Sequence, residues 1–197
     1  GGGGADNLTG GTGNDTFNVD SGTDTNIDLS TGDILVVSGS ATANATNISS
    51  FVATSSTTNA GVANLSTQAS GGTINMSSAG SSTAFSINGG NGVDNLTGDS
   101  GDDIITGGGG SDNLTGGAGN DTFNVTAGND TITDLSTGDI LVVSASATAN
   151  AANISSFVAT SSTSNAGTAN LSTQAGGGTI NMSSAGGSNT YSLNGGN

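Results

Sequence analysis

A nine-residue motif, Gly-Gly-x-Gly-x-Asp-x-Leu/Phe-x, repeats in tandem along this chain and restricts its fold more than any other feature. Gly89 to Thr133 divides into five units: GGNGVDNLT, GDSGDDIIT, GGGGSDNLT, GGAGNDTFN and VTAGNDTIT. Gly1 to Ile27 holds three more: GGGGADNLT, GGTGNDTFN and VDSGTDTNI. The glycines permit tight turns at positive φ and leave their carbonyl oxygens bare. The Asp at the sixth position adds a hard carboxylate of the kind Ca²⁺ selects. The apolar residue two places further on predicts a short strand with that side chain turned inward. Repetition in one register makes Ca²⁺ the expected cofactor and a stack of short parallel turns the expected fold.

A longer repeat is superimposed on the short one. Gly1–Val19 returns as Gly107–Val125, an offset of 106 residues, and the offset persists without a gap: Asp33 maps to Asp139, Phe51 to Phe157, Leu65 to Leu171, Met76 to Met182 and Phe85 to Tyr191. Gly195-Gly196-Asn197 repeats Gly89-Gly90-Asn91. The pattern predicts a window on a longer tandem array. It divides as follows: 1–33, the end of a calcium roll with its closing segment; 34–88, a charge-free segment; 89–139, a calcium roll and closing segment; 140–194, a second charge-free segment; and 195–197, the start of the next calcium block.

Composition removes most chemistries. All fifteen acidic residues are Asp, and the chain has no Glu, Lys, Arg, His, Cys, Pro or Trp. The net charge of −15 has no internal counter-cation, so no salt bridge is expected and metal ions are the obvious neutraliser. Nucleic-acid binding requires Lys or Arg at the phosphates. The longest aliphatic runs, Ile34–Val37 and Ile140–Val143, are too short to span a bilayer. Without His, Cys or Lys there is no Ser-His-Asp, Cys-His or Schiff-base catalysis. The adjacent Asp102 and Asp103 could be read as an acid–base pair. Asp103, however, occupies the calcium position with Asp102 beside it, and the ligand reading is preferred. No enzyme is expected.

From Ile34 to Val93, and again from Ile140 to Asn197, there is no charged side chain. Ala63/Leu65, Ile74/Met76 and Phe85/Ile87 are alternating apolar pairs spaced by eleven; Leu96, Ile105, Leu114, Phe123 and Ile132 continue at nine. An inward ladder that passes from eleven to nine without breaking predicts one solenoid, all β, with calcium turns stacked on metal-free rungs. A separate small β-sandwich between calcium rolls is the alternative, since its strands recur at similar spacing. Phe17, Phe51, Phe85, Phe123, Phe157 and Tyr191 occupy repeat positions and are expected in the core.

The nonapeptides resemble those of the repeats-in-toxin (RTX) superfamily of calcium-binding β-rolls. The 106-residue alternation is most similar to large bacterial surface, S-layer and matrix proteins. That resemblance implies a parallel β-roll, type I export and an extracellular or cell-surface location. Residue by residue, the implied ligands are Asp6, Asp15, Asp24, Asp94, Asp103, Asp112, Asp121 and Asp130. Asp28, Asp33, Asp102, Asp134 and Asp139 are further candidates. Asp28–Leu35 and its copy Asp134–Leu141 resemble the segment that closes such rolls, in which Asp28 and Asp33 either bind the last ion or cap the roll by hydrogen bonding. Two departures matter: VDSGTDTNI carries Asn26 at the inward position, and both V-starting units lack the leading Gly-Gly. The expected function is structural, a filament, S-layer or matrix fibre that joins end to end to further copies of itself. A giant-adhesin stalk is the alternative, and an export tail of a secreted enzyme a third reading.

Overall fold

The computed structural model describes residues 1–25 and 27–196. Asn26, singled out above, and Asn197 lie outside the described residues. Every strand ladder is parallel. A nine-stranded sheet runs the length of the molecule through Gly22–Asp24, Ala41–Ile48, Val62–Thr67, Phe85–Asn88, Ile104–Thr106, Thr122–Val125, Ile140–Val143, Ser164–Asn165 and Gly186–Gly187. An eight-stranded sheet accompanies it through Ser50–Val52, Thr73–Asn75, Asn95–Thr97, Asn113–Thr115, Gly128–Ile132, Ala147–Ile154, Thr168–Thr173 and Tyr191–Asn194. The chain is a single solenoid. A separate sandwich is excluded, because both sheets continue through the calcium blocks and the charge-free segments alike.

The change in apolar spacing is a change in turn length. Two nonapeptides make one 18-residue turn, placing Leu96 under Leu114 and Leu114 under Ile132. Two eleven-residue steps make a 22-residue turn, placing Leu65 under Ile87. Ile87, Ile105, Phe123 and Leu141 then follow one another in the nine-stranded sheet, as Phe51, Ile74 and Leu96 do in the other. All of these side chains are buried, and each contributes about 1.5–3 kcal/mol relative to exposure. The five expected phenylalanines join this core, whereas Tyr191 is only partly buried against it; Phe51 lies on Ile74, and Phe123 between Ile105 and Leu141.

The charge-free turns are longer because they have a third side. Thr16–Val19, Ile34–Val37 and Thr58–Asn59 form a short sheet beside the first charge-free segment, and Ser156–Val158 and Thr179–Asn181 form another beside the second. The chain turns at a β-bulge where the register shifts between Ala45 and Ile48, before Ser50–Val52 of the eight-stranded sheet, and again between Ala151 and Ile154, before Ser156–Val158. Asn47 and Asn153 sit there at φ 59° and 61°, in the left-handed region that Asn tolerates better than most residues. Polar ladders stack along these turns: Asn64 donates to Asn44 at 2.8 Å and Asn170 to Asn150 at 2.9 Å. The buried Asn59 donates to the Ala84 carbonyl at 2.8 Å and accepts from the Gly61 N–H at 3.1 Å.

Strands related by the 106-residue repeat stand in different sheets. From Asp24 the nine-stranded sheet passes through Ala43, Ala63 and Phe85, then through positions 103 and 121. Asp130, the repeat equivalent of Asp24, lies nine residues past 121 and belongs to the eight-stranded sheet. One period is thus five turns plus one nonapeptide, about 25 Å of rod at about 4.8 Å per turn. The block at 1–33 is built on the short and nine-stranded sheets, the block at 89–139 on the nine- and eight-stranded sheets. From the first block to the second, the roll moves round the axis by one face.

Candidate metal centre

The nonapeptide Asp residues sit where the glycine turn passes into a short strand, Asp24 and Asp130 within the strand itself, and Asp24, Asp94, Asp103, Asp112, Asp121 and Asp130 each reach back one turn. The Asp112 carboxylate accepts from the Asp94 N–H at 2.9 Å, and the Asp130 carboxylate from the Asp112 N–H at 3.1 Å. On the opposite edge Asp121 accepts from Asp103 N–H at 2.8 Å, and Asp139 from Asp121 N–H at 2.9 Å. The first block repeats this, with Asp24 accepting from Asp6 N–H at 3.1 Å and Asp33 from Asp15 N–H at 2.9 Å. Two files of carboxylates therefore run along the two edges of each roll. They begin on the backbone of the charge-free segment, where Asp94 and Asp103 accept from Gly72 and Phe85 N–H at 2.7 and 2.6 Å.

One oxygen of each of these carboxylates is thereby fixed; the second oxygens of Asp94 and Asp103 accept from Gly90 and Asp99 N–H at 3.1 and 2.7 Å, and others are left free. Oδ2 of Asp112 and of Asp130 is buried without a hydrogen-bond donor, as is Oδ2 of Asp15 and Asp24. Both meet at Gly107: a Cβ there would lie 2.5 Å from Asp130 Oδ2 and 2.9 Å from Asp112 Oδ2. At Gly98 a Cβ would collide with Asp103 Oδ2 and with the Gly116 carbonyl one turn on. At Gly89 it would collide with the Gly107 carbonyl and approach Asp94 Oδ2 at 2.9 Å. The first glycine of the motif thus clears a cradle lined by carboxylate and main-chain oxygens. Ca²⁺ takes six to eight such ligands, and the donor set fits it. No group of three carboxylates gathers among the described residues, so any ion draws on main-chain oxygen as well as on carboxylates from two turns.

The electrostatics point the same way. Burial raises the Asp121 and Asp130 carboxyls to about 7 and Asp103 to about 6, with neighbouring carboxylates adding to the rise. Burial also raises Asp99, Asp112 and Asp139. One ion pair corrects the expectation that none could form: the Gly1 amino group lies 3.5 Å from Asp24 Oδ2. No side chain supplies a cation.

A pH dependence follows for the chain in chelator. With their pKa values raised in the fold, these groups hold protons between about pH 4 and 7 that the unfolded chain releases. Stability therefore rises as pH falls through that window. Acidification from pH 8 to 5 in excess EDTA is expected to increase β-type circular dichroism, and a decrease over that range would contradict the burial of these groups.

The remaining candidates are placed differently. Asp28 is exposed and both its oxygens accept from backbone, Gly10 N–H at 2.8 Å and Gly11 N–H at 3.1 Å. Asp134 does the same with Gly116 and Gly117 at 2.9 and 2.8 Å. Asp33 and Asp139 each close on a serine three residues back, Asp33 Oδ2 accepting from Ser30 N–H and Asp139 Oδ2 from Ser136 N–H, both at 2.7 Å. Asp102 is exposed and accepts from Asn120 N–H at 2.8 Å. Asp99 was absent from the expected set although it is buried, with an Oδ2 that no donor reaches. Its signal in the sequence was the replacement of the second motif glycine in GDSGDDIIT.

A substitution pair separates ligand from scaffold. Asp121→Asn keeps the shape and removes a charge from the middle of a file, so calcium affinity is expected to fall by about tenfold or more, given how strongly ligand charge tunes such sites. Asn75→Asp, on a charge-free rung where Asn75 Oδ1 accepts from Ser77 N–H at 3.0 Å, is expected to leave affinity unchanged. Equal effects in a calcium titration would mean that net charge alone governs binding.

The parallel two-edged roll with aspartate files defines a calcium-binding repeat solenoid. The RTX calcium-binding nonapeptide repeat matches in four copies, over residues 1–25, 88–123 and 115–142. These segments carry the calcium-binding repeat of the RTX superfamily. No curated protein and no solved structure matches the chain.

Proposed function

We propose that the chain is a calcium-stabilised rod segment of an extracellular assembly, a filament, S-layer or matrix fibre that extends by adding solenoid turns end to end, with no catalytic role. The observation that supports this reading is the junction at residues 72–103. There a calcium block stacks on a charge-free segment through unbroken parallel ladders and needs no cap. The 106-residue repeat places Gly178 and Tyr191 where Gly72 and Phe85 stand at that junction.

In this reading the ions lie between successive turns. They bridge Asp6 with Asp24, Asp94 with Asp112 and Asp130, and Asp103 with Asp121 and Asp139. Asp15 contributes on the edge that Asp33 closes. Asp28 and Asp134 cap glycine turns by hydrogen bonding. The 1–33 and 89–139 blocks act as the calcium-dependent parts, and 34–88 and 140–194 as spacers.

The test is electron microscopy and light scattering of the purified chain with and without millimolar Ca²⁺. Rods that lengthen with Ca²⁺ support assembly through this face. A chain that stays monomeric in millimolar Ca²⁺ defeats non-covalent assembly. Native material made of single stalks with a distinct tip would favour the adhesin reading over the fibre.

A further inference from the structure

The β-bulge of the second charge-free segment opens a cleft beside the eight-stranded sheet. Ala151 pairs with Leu171 and Ile154 with Thr173, so Ala152 and Asn153 stand opposite Ser172 alone, and among the described residues they have no ladder partner in either neighbouring strand. Bulges of this kind interrupt pairing and re-aim side chains, and they recur beside functional sites. Asn153 is exposed and turns the corner at φ 61°. A cavity of about 350 Å³ lies at this corner, lined by Thr131, Asn150, Asn153, Asn170 and Ser172, with Ala152 and the buried Leu171 between them. That volume is at the small end of ligand sites.

The polar groups of the cleft are positioned in advance. Asn170 donates to Asn150 Oδ1 at 2.9 Å, and Asn150 donates to Asn129 Oδ1 at 2.6 Å and to the Asp130 carbonyl at 3.2 Å. Asn150 is thereby fully used, while Asn170 keeps its Oδ1 and one N–H. The Asn153 amide makes no side-chain hydrogen bond among the described residues. Two amides on opposite sides of the bulge therefore offer donors and acceptors side by side, with little ordering left to pay for on binding.

The lining also restricts what can bind. It holds no charged side chain among the described residues, so neither an anion nor a metal ion finds a counter-charge. It holds no aromatic ring, and its apolar contact is limited to small patches at Ala152 and Leu171. A sugar fits this chemistry: each hydroxyl both donates and accepts, as an amide does, and its C–H groups need only a small apolar surface. We propose that the bulge cleft binds a neutral saccharide, one or two sugar residues of an uncharged polysaccharide. Asn153 and Asn170 would hold its hydroxyls, and Ala152 would leave room for the ring. The first period carries the same bulge at Asn47, but there Thr46 stands in place of Ala152. The site is read from the bulge alone and stands whether or not rods assemble.

The experiment is two-dimensional NMR of the full chain in millimolar Ca²⁺, titrated with the neutral disaccharides maltose, cellobiose, lactose and N,N′-diacetylchitobiose. At least one is expected to shift amide signals in a patch confined to residues 131–133, 150–153 and 170–172. Asn153→Gly keeps the positive φ and removes the amide, and it is expected to weaken that binding roughly tenfold, as the loss of two neutral hydrogen bonds would. Ala152→Leu fills the cleft and is expected to abolish binding, whereas Asn47→Gly is expected to leave it unchanged. The proposal is overturned if no disaccharide shifts these residues, or if the shifts survive Asn153→Gly at full strength. Shifts produced there by an uncharged Ser/Asn peptide and by none of the sugars would mean strand addition at the bulge, and would overturn it as well. Should Ala152→Leu lose its β-type circular dichroism, Asn153→Gly decides.

Discussion

Chelation is expected to abolish the β-type circular dichroism of this chain at neutral pH, and Ca²⁺ but not Mg²⁺ to restore it. The fold buries Asp24, Asp33, Asp94, Asp99, Asp103, Asp112, Asp121, Asp130 and Asp139, and no side chain in the molecule carries a positive charge. Neighbouring carboxylates stand one turn apart on each edge, about 4.8 Å along the axis, with little water between them to screen repulsion. The apolar core is thin, with one or two inward side chains on most strands, and each turn contacts only its neighbours, so stability is a sum of local terms. Because the cradle at Gly107 needs two turns already stacked, the site does not pre-exist in the unfolded chain. The free energy of binding is then free energy of folding. Mg²⁺ requires near-octahedral geometry at about 2.0–2.1 Å and sheds water reluctantly, which a cradle of carboxylates and carbonyls from two turns does not provide. A spectrum unchanged by excess chelator would falsify calcium as the source of stability.

Much of this was legible in the sequence, for a physical reason. A solenoid turns linear spacing directly into stacking, so apolar steps of nine and eleven specify turns of 18 and 22 residues, and Asp at every ninth position specifies a file on each edge. What escaped was what depends on corners. The three-sided turn of the charge-free segments depends on a bulge at Asn47, an ordinary Asn-Ile-Ser in a chain full of such triplets. Without it, the movement of the calcium roll from one pair of sheets to the next could not be read, although the nonapeptide left over from five turns is its arithmetic trace. The buried Asn59 was equally hidden, since burial of an amide depends on a carbonyl 25 residues away. Asp99 was visible as a departure from the motif, but its burial depends on the loop at Ser81, which belongs to the other kind of segment.

The second large effect is expected from a single methyl group. Gly107 is not at positive φ, so backbone freedom does not explain it; what an alanine would lose is space. Its Cβ would stand 2.5 Å from Asp130 Oδ2 and 2.9 Å from Asp112 Oδ2, inside van der Waals contact with two carboxylates from successive turns. Those side chains cannot simply swing away, because each is pinned through its other oxygen to a backbone N–H one turn below. Overpacking of this kind costs about 1–3 kcal/mol, and here it falls on the oxygens that would face the ion. Gly107→Ala is therefore expected to weaken calcium binding in the second block by roughly ten- to a hundredfold. Gly109→Ala is the control, two residues along the same turn, where the nearest atom to a new Cβ is Asn91 Oδ1 at 3.6 Å. It is expected to bind calcium like wild type. If the two alanines weaken binding equally, the glycines serve only to let the chain turn, and the cradle between Asp112 and Asp130 is not where the ion sits.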